Sequence, residues 1–363
     1  MSEGIDRVRR RALGSTLATL AAPGALMAGI AHGQVGKHMP TARLPDEGKM
    51  PSLDGATGWL NTAPLTAPGL LGKVVLIDIW TYTCINWLRT LPYVRSWAGK
   101  YKDQGLVTIG VHSPEFEFEK NVDNIKRAVT EMKIDFPVAI DSNFAIWRAL
   151  RNAYWPALYL VDAKGRIRYH HFGEGEYDRS EMAIQQLLTD AGVSGIDRKL
   201  VAVAGSGAEA APDWMNLRSP ENYVGYERTE NFAGGAVRDK RNVYTAPVRL
   251  GLNQWALSGD WTMKKGLAAL NAPNGRIVNQ FHARDLHLVM GPSTQGASVR
   301  FRVTIDGQPP RADRGVDVDE AGNGTVSHQR LHQLIRQKSP IQDRRFEVEF
   351  LDAGVEAFSF TFG

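Results

Sequence analysis

The sequence predicts an α/β domain followed by an all-β domain, and three observations carry that expectation. Short apolar runs alternate with segments of helical spacing between about residues 40 and 195. Residues 202–212 are rich in Ala and Gly and fall within an expected linker over 196–217. From 218 to 363 the pattern becomes period-two alternation broken by turns, as in Val299, Phe301, Val303 and Ile305. At 363 residues the chain is long enough for two domains of ordinary size.

In the first domain, residues 74–80 read as a buried strand opened by Val74-Val75-Leu76-Ile77, and 88–102 as a helix containing Pro92. A strand at 106–112, a helix at 121–132, a short strand at 137–141 and a helix at 144–150 follow. Strands at 157–161 and 167–171 are joined by the turn at Ala163, Lys164 and Gly165, and a helix at 179–191 closes the unit. Strand–helix–strand units imply a parallel core, to which the terminal hairpin adds antiparallel strands. In the second domain, strands are expected at 223–228, 254–257, 275–283, 285–290, 298–305, 315–319, 324–326, 346–351 and 355–362. Residues 328–337 are expected as one short helix or an irregular crossover. Many short strands with frequent turns imply a two-sheet sandwich.

The first 33 residues read as an export signal. Arg7, Arg9, Arg10 and Arg11 precede a weakly apolar stretch with no acidic residue. The paired arginines are of twin-arginine type. Gly14, Pro23, Gly24 and Gly29 interrupt the stretch, which favours a cleaved leader over a membrane anchor. The expected location is exported and periplasmic, with tethering by an uncleaved signal as the other arrangement. No other span is apolar enough to cross a membrane.

A content of 43% hydrophobic and 23% charged residues is that of a soluble globular protein. The net charge of +4 falls to +2 without the leader, because four arginines leave with Glu3 and Asp6. That balance, with no basic stripe, argues against a nucleic-acid partner. No Gly-x-Gly-x-x-Gly or Walker pattern is present, so no nucleotide, flavin or other cofactor is expected. His282, His287, His328 and His332 lack a carboxylate or cysteine to complete a ligand set, so no metal is expected, and His328 and His332 read as surface residues.

The chain has one cysteine, so no internal disulfide forms. Cys84 lies between the strand at 74–80 and the helix that follows. Such a position exposes the sulfur at a sheet edge, where free helix amides and the helix dipole favour thiolate. Cys84 is therefore the expected nucleophile. The position three residues on is Trp87 rather than a second cysteine.

Several separated motifs arrive in a recognisable order: Trp80-x-x-x-Cys84, a helix with Pro92, Gly110-Val111-His112-Ser113-Pro114-Glu115-Phe116, Trp155-Pro156, a hairpin, and Gly173-Glu174-Gly175. In this order the chain resembles the thioredoxin-like redoxins. That class includes the cytochrome-maturation thioredoxins and the alkyl hydroperoxide reductase and thiol-specific antioxidant family. The segment Trp80 to Val94 resembles most of all the extracytoplasmic part of DipZ-type proteins. The resemblance implies that Cys84 is catalytic and that Pro156 is the cis proline opposite it. It also implies that the backbone at Trp155 meets an extended substrate and that Glu115 accepts a proton. Thr81, Asn86 and Trp87 flank Cys84 and complete the expected substrate-binding set with Trp155 and Pro156. DipZ proteins carry a membrane electron-transfer module, so reducing equivalents here are expected from a separate partner.

With Trp87 in place of a second thiol, Cys84 cannot resolve its own mixed disulfide. Three outcomes stay open. Cys84 acts as a monothiol on protein or small-molecule disulfides, resolved by an external thiol or thioredoxin-like reductant. Alternatively it reduces peroxides through a sulfenic acid, with antioxidant activity. Thr81-x-x-Cys84 matches the peroxiredoxin Thr-x-x-Cys, with Arg148 or Arg151 as the partner, although Ile77 stands where that pattern has proline. In the third outcome the chain is a redox-inactive binding module. The second domain resembles the jelly-roll-like C-terminal domain of DipZ-type proteins, for which a glycan or protein partner is conceivable. Trp255, Trp261, Tyr223, Tyr226 and Phe281 are its sugar-stacking candidates, although core packing suits each of them taken singly.

Overall fold

The computed structural model describes residues 43–363. The expected export signal lies outside the described residues. The first domain runs β1 (Gly48–Lys49), β2 (Gly58–Leu60), β3 (Val74–Trp80), α1 (Ile85–Tyr101), β4 (Leu106–His112), α2 (Val122–Glu131), β5 (Val138–Ile140), α3 (Ala145–Ala149), β6 (Ala157–Val161), β7 (Arg166–Phe172) and α4 (Tyr177–Asp190). One seven-stranded sheet has the order β1-β7-β6-β3-β4-β5-β2. β3, β4 and β5 are parallel, and the β6–β7 hairpin joins antiparallel, as the sequence implies. The two-residue and three-residue edge strands β1 and β2 were not expected; they are too short to show a period.

β3 is buried along its whole length, and its pleat divides the core. Val74, Leu76 and Trp80 face a cluster that contains α1, α2 and α4 residues. Val75, Ile77 and Ile79 face the opposite cluster, with Ile146 and Trp147 of α3 and Met50 and Leu53 of the leading segment. The C-terminal ends of β3 and β4 and the start of β6 therefore meet at one sheet end. Ile79 pairs with Ala157, and the Trp155–Pro156 peptide just before β6 is cis.

The second domain holds β8 (Asn222–Tyr223), β9 (Arg241–Tyr244), β10 (Trp255–Met263), β11 (Ala268–Leu270), β12 (Gly275–Phe281), β13 (Asp285–Pro292), β14 (Val299–Ile305), β15 (Asn323–Val326), β16 (Arg330–Arg336), β17 (Arg344–Phe350) and β18 (Val355–Phe362). All its named strand pairings are antiparallel. The first half of β10 pairs with β12 and the second half with β9 and β11, so one strand serves two sheets. Gly259 sits at the changeover with φ +96°. A Cβ there would lie 2.9 Å from the Gly275 backbone, so only glycine fits. The result is an antiparallel half-barrel around Trp255, Trp261, Phe281, Phe301, Phe346 and Phe360.

Several expectations change here. Residues 328–337 are not a helix: β16 occupies most of them. Both faces of β16 are covered, Leu331 toward the first domain and Leu334 and Ile335 toward the half-barrel, which erases the period-two pattern. His332 is accordingly buried rather than at the surface. No strand forms at 315–319, and the strand expected at 223–228 shrinks to β8. Trp255, Trp261 and Phe281 are fully buried, so none offers a face to a sugar.

The expected linker is pinned rather than free. The Arg95 guanidinium meets the Glu209 carboxylate at 2.6 Å, the Val201 amide donates to Glu181 at 2.8 Å, and Arg284 donates to the Ala211 carbonyl at 2.7 Å. The two domains also share a core. Val289, Leu331 and Phe358 of the second domain belong to the same apolar cluster as α1. Phe358 reaches it through an irregularity in β18: Val289 pairs with Ser359 but Met290 with Ala357, which leaves Phe358 as the extra residue. Its ring lies 4.6 Å from Phe118 and 5.3 Å from Phe116. At depth, Arg89 of α1 pairs with Glu174 at 3.0 Å and donates to the Phe362 carbonyl at 3.3 Å.

Phe358→Ala is expected to destabilise the chain by about 3–5 kcal/mol, since a buried Phe is lost from a contact that cannot collapse easily. It should also speed protease cleavage within residues 202–212. Urea unfolding and timed proteolysis check this. An unchanged unfolding midpoint would mean that the shared cluster does not hold the domains together.

Candidate active site

β3 ends at Trp80, residues 81–83 turn, and Cys84 stands in extended geometry immediately before α1, with φ −75° and ψ 112°. Its carbonyl accepts the Leu88 amide at 2.9 Å, and its own amide donates to the Thr81 carbonyl at 3.3 Å. The residue is partly buried. The amides of Asn86 and Trp87 act on the sulfur and favour its thiolate, as expected at a helix start. Burial outweighs them, followed by the negative charge of Glu115, with a smaller push from Glu221. The thiol is therefore held well above the ordinary cysteine value. This corrects the expectation of a stabilised thiolate: the helix terminus is present, but burial and two carboxylates act against it.

Trp87 does not face the surface. Its side chain turns into the core, stacks on Trp80 with ring centroids 4.4 Å apart, and donates its indole N–H to Asp78 Oδ2 at 2.9 Å. A residue so enclosed can meet no substrate, so the role of Trp87 is packing beneath Cys84. Thr81 is likewise fully buried, close to the Glu119 carboxyl, and Asn86 is partly exposed. Gly110 makes room for the Trp80 indole, since a Cβ there would come within 2.8 Å of Nε1.

Two buried carboxyls escaped the sequence reading. Asp78 occupies the place between Leu76 and Trp80 in an otherwise apolar row, and burial pushes it up to about 7. Glu119 accepts from the Thr83 hydroxyl at 2.6 Å and from the amides of Glu115 and Phe116 at 2.6 and 2.8 Å. It ties the turn before Cys84 to the loop after β4, and burial lifts it to about 7. In the sequence Glu119 looks like one more acid in an exposed run with Glu115 and Glu117. Nearby, His112 lies edge-on to Trp80 and stacked on Tyr82, and burial lowers it to about 3.

Glu115 faces the second domain. Its carboxylate accepts from the Tyr223 hydroxyl at 2.6 Å and pairs with Arg228 at 3.3 Å, while the guanidinium lies 3.3 Å from the Tyr223 ring centroid. Tyr223 was expected as a sugar-stacking candidate and instead donates to Glu115, while Arg228 and Glu221 had no signal as site residues, because nothing local marks a partner in another domain. Pro156 lies at the same sheet end as Cys84. The Trp155 indole donates to the Ser113 carbonyl at 2.9 Å, and the Ser113 amide donates to the Trp80 carbonyl at 2.9 Å. Arg148 and Arg151 are exposed, and the carboxylates of Glu115 and Glu221 are the charges that act most strongly on the sulfur. Among the described residues no group of His, Cys, Asp and Glu is arranged to hold a metal ion.

Because Asp78 holds its proton to about pH 7 when folded and only to about 3.8 when unfolded, it costs stability as pH rises through that window. Asp78→Asn, which can still accept from Trp87, is expected to stabilise by up to roughly 4 kcal/mol near pH 8 and by almost nothing near pH 4. Urea midpoints of both proteins across this range check it; a pH-independent difference would mean that Asp78 is not the titrating group.

Comparison with known proteins places the chain in a family. The Redoxin family profile matches residues 34–185, and the profile of the thioredoxin-like C-terminal domain matches residues 219–363. The chain is 36% identical over 328 residues to the protein DipZ of Mycobacterium bovis, covering 89% of this chain and 44% of that one. It thus spans under half the length of the DipZ proteins it matches. It is 32% identical over 142 residues to the thiol-disulfide oxidoreductase YkuV of Bacillus subtilis, covering 39% of this chain and 95% of that one. A thioredoxin-like protein solved in its oxidised form is 31% identical, covers 39% of this chain and 96% of its own, and superposes with a TM-score of 0.37. The chain belongs to the thioredoxin-like redoxin family, in the DipZ-type arrangement that joins a redoxin domain to a thioredoxin-like C-terminal domain.

Proposed function

We propose that the protein is an extracytoplasmic thiol–disulfide oxidoreductase that works with one cysteine. The observation that carries this reading is the placement of Cys84. It is partly open at the start of α1 with two amides acting on its sulfur, while the position of a second thiol is filled by the buried Trp87. The name of the relative YkuV supports the reaction class, and the relation to DipZ supports the location; no helix of the described residues is long and apolar enough to cross a membrane.

In this reading the Cys84 thiolate attacks one sulfur of a disulfide. The sulfur–sulfur bond breaks, one half leaves as thiolate, and the other stays bound to Cys84. An external thiolate then attacks that mixed disulfide, restores Cys84 and leaves as the new disulfide. Trp155 and Pro156 would meet the substrate backbone and Asn86 its exposed side, with Glu115 beside the thiol proton. Because the thiol is held high, the thiolate fraction at neutral pH is small, and the rate should climb about tenfold per pH unit below the thiol pKa.

A second reading, a redox-inactive module, draws on that same held-high thiol. Turnover of 2-hydroxyethyl disulfide with added glutathione separates the two. The proposed reading expects turnover that needs glutathione, rises with pH and disappears in Cys84→Ser. Equal rates for the wild type and Cys84→Ser at every pH would leave the module. Trp87→Cys is expected to form an internal disulfide with Cys84 and to remove the need for external resolution, at a stability cost of about 3 kcal/mol or more from the lost indole. Mass measurement under oxidising conditions and the glutathione dependence check it.

A further inference from the structure

The loop after β4 is fixed from both sides. Within the first domain, the Glu115 amide donates to Glu119 at 2.6 Å. Across the interface, its side chain is only 8% exposed and meets Tyr223 and Arg228. Tyr223 is itself held in β8, where it pairs with Ser359 of β18, and its ring packs 6.3 Å from Phe116. Arg228, 24% exposed at its side chain, lies over that ring. One short stretch of the second domain, residues 221–228, thus places a carboxylate, a phenol and a guanidinium around the thiol site.

The charges and dipoles that act on the Cys84 sulfur are the amides at the start of α1, Glu115 from the loop after β4, and Glu221 from the second domain. A carboxylate beside a thiol disfavours its ionisation, and a cation bound to that carboxylate offsets the effect. Arg228 contacts Glu115 and also feels the charge of Glu221, so its influence on the sulfur runs first through Glu115 and in smaller part through Glu221.

We propose that Arg228 and Tyr223 are positioning residues of the thiol site, which hold the Glu115 carboxylate beside Cys84 and offset its charge. The second domain then sets how readily the thiol ionises, and its sheet is a working part of the site. This rests on Cys84 being the reacting group, yet it is measurable without turnover.

The test uses the full chain with ¹³C at the cysteine Cβ. A single cysteine gives one resonance, whose shift follows thiol ionisation whether or not the protein turns over. Glu115→Gln is expected to lower the midpoint by about one pH unit, the size of one neighbouring charge. Arg228→Met, which keeps the aliphatic stem, should raise it, and Arg228→Lys should return it to the wild-type value. In the Glu115→Gln background, Arg228→Met should have a clearly smaller effect, because only Glu221 then remains for it to offset. The proposal is overturned if Glu115→Gln leaves the midpoint in place, or if Arg228→Met shifts it equally in both backgrounds. Disulfide turnover on the same proteins keeps the two readings apart. Absent turnover with this titration pattern sinks only the oxidoreductase reading, and turnover without the pattern sinks only this one.

Discussion

The hydrogen bond from the Trp87 indole to Asp78 is the constraint on which the site depends. Asp78 interrupts the apolar face of β3 one residue pair before the strand ends, and a buried carboxyl demands a donor. Trp87 supplies it only by turning its ring inward in the first turn of α1, where it also stacks on Trp80. That contact ties the first turn of α1 to β3. Cys84 stands three residues earlier, at the start of the same turn. The indole that removes the second thiol also anchors the first.

The second domain is joined to this frame by several kinds of contact. The Phe358 ring extends the first core, the Arg89–Glu174 pair sits beneath the last residues of β18, and Glu115 is gripped by Tyr223 and Arg228. Buried ion pairs contribute little net stability after desolvation, but they penalise misplacement strongly. In this interface the aromatic cluster supplies the attraction, and the charged groups fix the register.

Much of the first domain was legible in the sequence, because β3 opens on four apolar residues, β4 is rich in Leu, Val and Ile, and Cys84 falls at a strand–helix junction. The cis peptide at Pro156 is as the redoxin resemblance implied. What was hidden had physical reasons. Trp87 read as a substrate-binding residue because its partner, Asp78, lies nine positions back on another element. β16 looked helical because a strand covered on both faces loses its alternation, and the irregularity at Phe358 moves one aromatic of an apparently regular series to the other domain. Tyr223 and Arg228 lie 108 and 113 residues from Glu115, and no periodicity spans such distances.

Those separations bear on the order in which the molecule matures. The Arg89 contact with Phe362 closes a loop of 273 residues. During synthesis, α1 and its cysteine are complete long before the strands that flank them arrive, and contacts this distant form late. Glu115 already belongs to the same domain as the thiol by then, but the groups that grip its carboxylate do not. The thiol site is thus finished in two stages, and the second waits for Tyr223, 108 residues beyond Glu115.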